Sequence, residues 1–198
     1  MQHNVDTTGK RVGMWLFLYT EIMLFGGLFV IYANYHHRYI EEFAEGGAAL
    51  DLVVGSLNTI LLLTSSFTVA ASISALRKGT RRVAIALLSA SVLMGLGFLV
   101  NKYFEWGAKF SHGIYPGSPE LEEGAHGLTI FYGLYFTITG LHGLHVLIGV
   151  VLLTVCATLI QRGRIRQEND IVLENSGLYW HLVDLIWIFI FPLFYLVA

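Results

Sequence analysis

Glu21, His142, His145, His181 and Asp184 are acid–base side chains set in stretches that are otherwise almost wholly apolar. Carboxylates and imidazoles can relay protons, ligate haem or metal, or bridge helices by hydrogen bonds. His142 and His145 are three apart, as are His181 and Asp184, so each pair shares a helix face. A charged group at bilayer depth costs roughly 2.5–3.5 kcal/mol on insertion scales, so such residues mark functional or architectural sites by default.

The elements that must position them are membrane spans. Of the 198 residues, 55% are hydrophobic and 13% charged, against roughly 25% charged in ordinary soluble domains. Apolar segments run over about 13–34, 50–76, 82–106, 127–160 and 175–197. Each exceeds the roughly 20 residues that cross a hydrocarbon core. The strict alternation of barrel strands is absent. The expected fold is an all-α membrane protein of five transmembrane helices in one domain, 1–198, with a polar loop at 35–49 and a longer Gly-, Pro- and acid-rich connection at 107–126. The polar start MQHNVDTTGKRVG lacks the pattern of a cleaved leader, so the first span is expected to be retained.

Basic residues set the expected orientation. Lys10, Arg11, Arg77, Lys78, Arg81, Arg82, Arg162, Arg164 and Arg166 fall on one side of a five-span chain, leaving Arg38, Lys102 and Lys109 on the other. The positive-inside rule then puts the N-terminus in the cytoplasm and the C-terminus outside. Glu41, Glu42, Glu45, Asp51, Glu120, Glu122 and Glu123 fall on the outer side. The arginines at 162–166 could also meet anionic headgroups.

Three chemistries compete for the buried histidines: haem ligation, metal binding, and hydrogen bonding to helices or lipid. Counted from the segment ends, His181 lies about 9 Å and His145 about 23 Å from the inner boundary, a poor match for a shared haem. A metal site asks for three or four ligands, yet Glu21, His181 and Asp184 count into the inner half while His142 and His145 count nearer the middle. Glu21 is either a proton-accessible carboxyl or a partner for headgroups or helices. His181 and Asp184 could bond to each other and face Glu21. Glu105, in NKYFEW, is expected at the outer interface, Trp106 in an interfacial belt, and Trp187 in packing. Small residues such as Gly26, Gly27, Gly95, Gly97, Gly140, Gly143 and Gly149 mark expected packing faces. Cys156, the single cysteine, reads as a small buried hydrophobe. His36, His37, His112 and His126 read as solvated loop residues. No phosphate-loop, zincin, nucleophile-elbow or EF-hand pattern is present, and nothing points to nucleic acid.

Four stretches carry a resemblance: GMWLFLYTEIMLFGGLF (13–29), LNTILLLTSS (57–66), YFEWGAKF (103–110), and the pair TGLHGLHVLIGV (139–150) with ENSGLYWHLVDLIWIFIF (174–191). The chain resembles subunit III of the haem–copper oxidases, the cytochrome c oxidase subunit III family, in a short five-helix bacterial form. Longer members have two further helices before the Glu21 helix.

The resemblance implies a subunit without redox centres or cofactors of its own, in a proton-translocating terminal oxidase of aerobic respiration and the electron transport chain. Haem and copper are then expected in partner subunits. It implies binding to oxidase subunit I, with subunit II, subunit IV and a respiratory supercomplex as further partners. It also implies bound phospholipid, support of proton and oxygen access, and a multi-pass place in a bacterial inner membrane. Glu21, His142, His145, Glu174, His181, Asp184 and Trp187 carry over as structural or lipid-cleft residues, Glu105 as an outer-interface residue, and no residue as catalytic. The electron donor, cytochrome c or quinol, is read from other subunits. An accessory subunit of a nitric-oxide-reductase-type complex, or a di-haem cytochrome using His142, His145 and His181, are the alternatives.

Overall fold

In a computed structural model, residues 2–122 and 124–196 are described. The expected end of the last span at Val197, the loop carboxylate Glu123, and the side chains of Glu120 and Glu122 lie outside the described part. The helices are α1 (Gln2–Arg38), α2 (Ile40–Ala48), α3 (Leu52–Arg77), α4 (Arg81–Ser111), α5 (Pro119–Glu122), α6 (His126–Gln161) and α7 (Ile171–Tyr195). Five stretches, Thr8–Arg38 within α1 and the whole of α3, α4, α6 and α7, are long and apolar enough to cross a membrane. Among the described residues β pairing is limited to an isolated bridge between Arg166 and Asn169.

The helix ends depart from the ends of the apolar segments, most of them lying beyond and the start of α3 lying inside, because caps and not the apolar run decide where a helix stops. Asp51 starts α3 by accepting from the backbone N–H groups of Val53 and Val54 at 2.9 and 3.1 Å. At the other end of α3, Gly79 adopts φ +77°, and Thr80 N donates to Ala75 O across the turn. Gly163 (φ +70°), with Arg164 N donating to Leu159 O, closes α6 in the same way. A glycine in the left-handed region at this position lets the last carbonyls find donors. The expected polar loop at 35–49 is mostly helix: α1 runs through Arg38, and α2 presses Phe43, Gly46 and Gly47 inward.

We call the end of the bundle where α1 begins the N-side and the opposite end the C-side. Helices α3, α4, α6 and α7 enclose the core, each packed on two neighbours, and α1 leans on α6 and α7 as the least buried of the five. Lipid tails are as apolar as leucine, so close packing and interhelical hydrogen bonds hold such a bundle together. Both converge on Trp180, which is fully buried. Its indole N–H donates to Ser65 Oγ at 2.9 Å, and its ring fills the space left by two glycines: a Cβ would come within 2.5 Å of it on Gly149 and 2.8 Å on Gly95. Gly26, Gly27 and Gly143 behave otherwise. Nothing lies within 4 Å of where their Cβ atoms would be, so within this chain they are not packing positions.

Candidate functional site

The buried polar residues separate into four groups, one at the N-side rim, two on different seams at mid-depth, and one toward the C-side. At the N-side rim, Arg11 of α1 donates to Glu174 Oε2 of α7 at 3.0 Å, and Arg77 of α3 donates to Asp170 at 2.6 Å and lies 3.7 Å from Glu174. Glu174, counted between spans from the sequence, is in the first turn of α7, where a carboxylate also complements the helix dipole. These pairs tie three helix ends together. The arginine side chains are half exposed, so each contact contributes about 0–1 kcal/mol.

Deeper on the α1 side, Glu21 and His145 meet. Glu21 Oε2 is 2.9 Å from His145 Nε2, and the two side chains are only 13% and 10% exposed. The pair lines a cavity of about 560 Å³ between α1, α6 and α7, with Met14, Phe17, Ile148 and Tyr179. His145 Nδ1 lies 2.7 Å from the Leu141 carbonyl, which can only accept, so Nδ1 carries hydrogen. Glu21 Oε2 approaches Nε2 closely but meets no donor in hydrogen-bonding geometry among the described residues. The Tyr179 hydroxyl donates to the His145 carbonyl at 3.1 Å, and Phe25 packs edge-on against the imidazole.

This meeting corrects the depth count. Glu21 was measured from about residue 13, but α1 is helical from Gln2, so the start of the apolar run does not mark the start of the helix. The direct approach of Glu21 to His145 puts the two at one level. His181 and Asp184 do not face Glu21, nor do they bond to each other. They lie on the seam between α7 and α3, where His181 Nδ1 is 2.6 Å from Ser66 Oγ. Asp184 is 3% exposed, and neither of its oxygens meets a donor among the described residues. One turn on, Trp187 Nε1 donates to Thr59 Oγ1 at 2.9 Å.

His142 joins none of these pairs. It is fully buried, edge-on to Phe98 and tilted 30° to Trp187, with both ring nitrogens unpartnered among the described residues. The three membrane histidines thus face three different neighbours: His145 a carboxylate, His181 a hydroxyl, His142 two aromatic rings. Among the described residues no three His, Cys, Asp or Glu side chains are grouped as a metal site.

The fourth group, toward the C-side, is one that sequence reasoning missed. Lys102, counted among the outer cations, and Glu105, expected at the outer interface, both turn inward, with side chains 8% and 6% exposed and 3.2 Å apart. Glu105 Oε1 accepts from the hydroxyls of Tyr135 and Tyr195, each at 2.5 Å. The Lys102 ammonium donates to the same hydroxyls at 3.0 and 2.9 Å and sits over the rings of Tyr135, Trp187 and Tyr195 at 4.9–5.6 Å. A lysine and a glutamate three apart near the end of an apolar run were a legible signal, since an i, i+3 pair can neutralise itself while turned into the bundle. Nearby, Asn101 Nδ2 donates to Asn58 Oδ1 at 2.9 Å, joining α4 to α3. The outer-loop readings of His36 and Cys156's company also sharpen: His36 stacks on Tyr32 within α1, and the buried Cys156 thiol points at Ser176 Oγ, 3.3 Å away.

The sequence model of the family described as Cytochrome c oxidase subunit III matches residues 2–198. The chain is 31% identical to cytochrome bo(3) ubiquinol oxidase subunit 3 of Pseudomonas aeruginosa over 198 residues, covering 99% of this chain and 89% of the relative. It is 33% identical to cytochrome c oxidase subunit 3 of Squalus acanthias over 195 residues, covering 94% of this chain and 69% of the relative. It is also 29% identical over 193 residues to the heme-copper oxidase subunit I+III of Aeropyrum pernix, covering 94% of this chain but only 22% of that longer protein.

Proposed function

Because the chain belongs to the cytochrome c oxidase subunit III family, we propose that it is the non-redox subunit III of a proton-pumping, oxygen-reducing haem–copper oxidase in a bacterial inner membrane, oriented with its N-terminus in the cytoplasm. In this reading it packs against subunit I, which carries haem and copper, and helps keep that subunit active through turnover. A relative named for both subunits in one chain supports the pairing with subunit I. Subunit II and lipid complete the assembly, and the donor is cytochrome c or quinol. The relatives include both kinds by name.

The observation that carries the role of this chain is the Glu21–His145 pair in the cavity between α1, α6 and α7. The cavity is mostly apolar along its walls and reaches toward the N-side to Val172 and Asn175, close to where Arg11 meets Glu174. That shape suits a phospholipid acyl chain below its headgroup. The remaining polar groups, His181, Trp187 and the Lys102–Glu105 node, act as bridges that set helix positions.

The test is Glu21→Ala in the assembled oxidase. The expected result is normal assembly and initial rate, faster loss of activity per turnover, and less retained lipid. Unchanged decay with unchanged lipid content would overturn this role. A visible spectrum of the purified chain separates the reading from a di-haem cytochrome: a stoichiometric Soret band would sink it.

A further inference from the structure

On the far side of α6 from the Glu21 cavity, the geometry points to a separate binding site for one anionic phospholipid, in the groove between α4 and α6 at the N-side. The groove has a volume of about 330 Å³, with Ile85 and Leu93 of α4 facing Ala157 of α6. From Ile85 to Leu93 it runs about 12 Å along the helix axis. Thr154 and Thr158 also line it, but their hydroxyls bond back to Val150 O and Val155 O. They have no need of an outside partner, and the groove behaves as an apolar slot.

Its N-side mouth is strongly basic. Gln161 closes the groove, and Arg81 reaches across from α4 to donate to the Gln161 carbonyl, so a guanidinium is fixed at the rim. Arg82 neighbours it in sequence, and Arg162 and Arg164 follow Gln161 directly; all are exposed. Among the described residues Asp170 and Glu174 pair with Arg77 and Arg11, and neither they nor the exposed Glu168 pairs with Arg81, Arg82, Arg162 or Arg164. An apolar slot one chain wide under unpaired guanidinium groups complements an acyl chain under a phosphate. Guanidinium groups also hold phosphate oxygens in a bidentate fork. A protein helix would supply the apolar contact but leave the arginines without counter-charge.

This site stands independently of the Glu21 cavity, so its test is independent too. The assembled oxidase is purified, relipidated with phosphatidylcholine, and titrated with phosphatidylglycerol while native mass spectrometry counts retained lipid. Arg81→Gln combined with Arg162→Gln should weaken retention of one phosphatidylglycerol about 30-fold, each surface cation contributing about a fivefold change in partition. Ala157→Phe, which fills the slot and keeps the arginines, should abolish the same binding event. Equal retention of phosphatidylcholine, competition by inorganic phosphate alone, or indifference to both sets of substitutions would each overturn the proposal. Should the arginine variants fail to assemble, a photoreactive residue at Ser89 in the otherwise unaltered complex decides: labelling of lipid supports the site, and labelling of a polypeptide overturns it.

Discussion

Replacing Lys102 by Met tests whether the Lys102–Glu105 node holds α4, α6 and α7 together. Met keeps most of the apolar stem, so the change removes mainly the ammonium. Glu105 would keep two tyrosine donors on Oε1, but Oε2, now 3.2 Å from the lysine, would face a bundle interior with no cation. Breaking a buried pair from one side costs about 3–5 kcal/mol. The two retained donors place this case near the lower end, at about 3 kcal/mol. Glu105→Gln strands the ammonium and should cost a similar amount. The double substitution removes both charges and leaves two tyrosine hydroxyls that can bond to the new amide. It should therefore cost about 3 kcal/mol and not about 6, a coupling of about 3 kcal/mol. The assay is equilibrium unfolding of the purified chain in mixed micelles across the four-member cycle. Intrinsic fluorescence is a suitable probe, because the ammonium lies 5.5 Å from the Trp187 ring. Additive losses, or single variants that cost under about 1 kcal/mol as exposed pairs do, would refute an interior pair.

Further outcomes follow from the other contacts. Gly149→Ala should destabilise by about 1–3 kcal/mol through overpacking against Trp180, and the same unfolding assay should show partial recovery when Trp180→Phe is added. Arg77→Ala should cost no more than about 1 kcal/mol at low salt, and the difference from the unaltered chain should shrink as ionic strength rises, since its partners sit at an exposed rim. Gly163→Ala should cost about 1 kcal/mol, because alanine at φ +70° strains the cap of α6; no loss, or the gain that Gly→Ala brings at an exposed helical position, would contradict the capping role.

The spans were readable because each is an unbroken apolar run; their ends were not, because caps such as Asp51 and Gly163 decide them. That same blindness hid the main pair. Glu21 and His145 stood out individually as acid–base groups in apolar sequence, but counting depth from the apolar run placed them at different levels. Lys102 was lost for another reason: counting it as a loop cation served the orientation argument, and charge counting does not ask which way a side chain turns. Ser66 was read as a small residue of a packing face, and Thr59 only as part of a motif stretch. Their bonds to His181 and Trp187 depend on which helices touch, and periodicity within one helix carries no such information. His142 and Trp187 were expected to be scaffold residues, and the structure gives that expectation a form: two aromatic systems in contact between α6 and α7.

The pairing of Glu21 with His145 also bears on how the chain is made. The helix that bears the carboxylate is synthesised first, and its partner histidine emerges about 120 residues later, roughly 6–25 s at about 5–20 residues per second. During that interval α1 is in or beside the bilayer with a carboxyl that has no imidazole beside it, and with little surface to pack against until α6 and α7 arrive. Ribosome-bound intermediates stalled before His145 should therefore hold α1 loosely, exposed to extraction or to insertion factors, and those stalled after α7 should not. Timing of synthesis, as well as final geometry, then sets how reliably this helix finds its place.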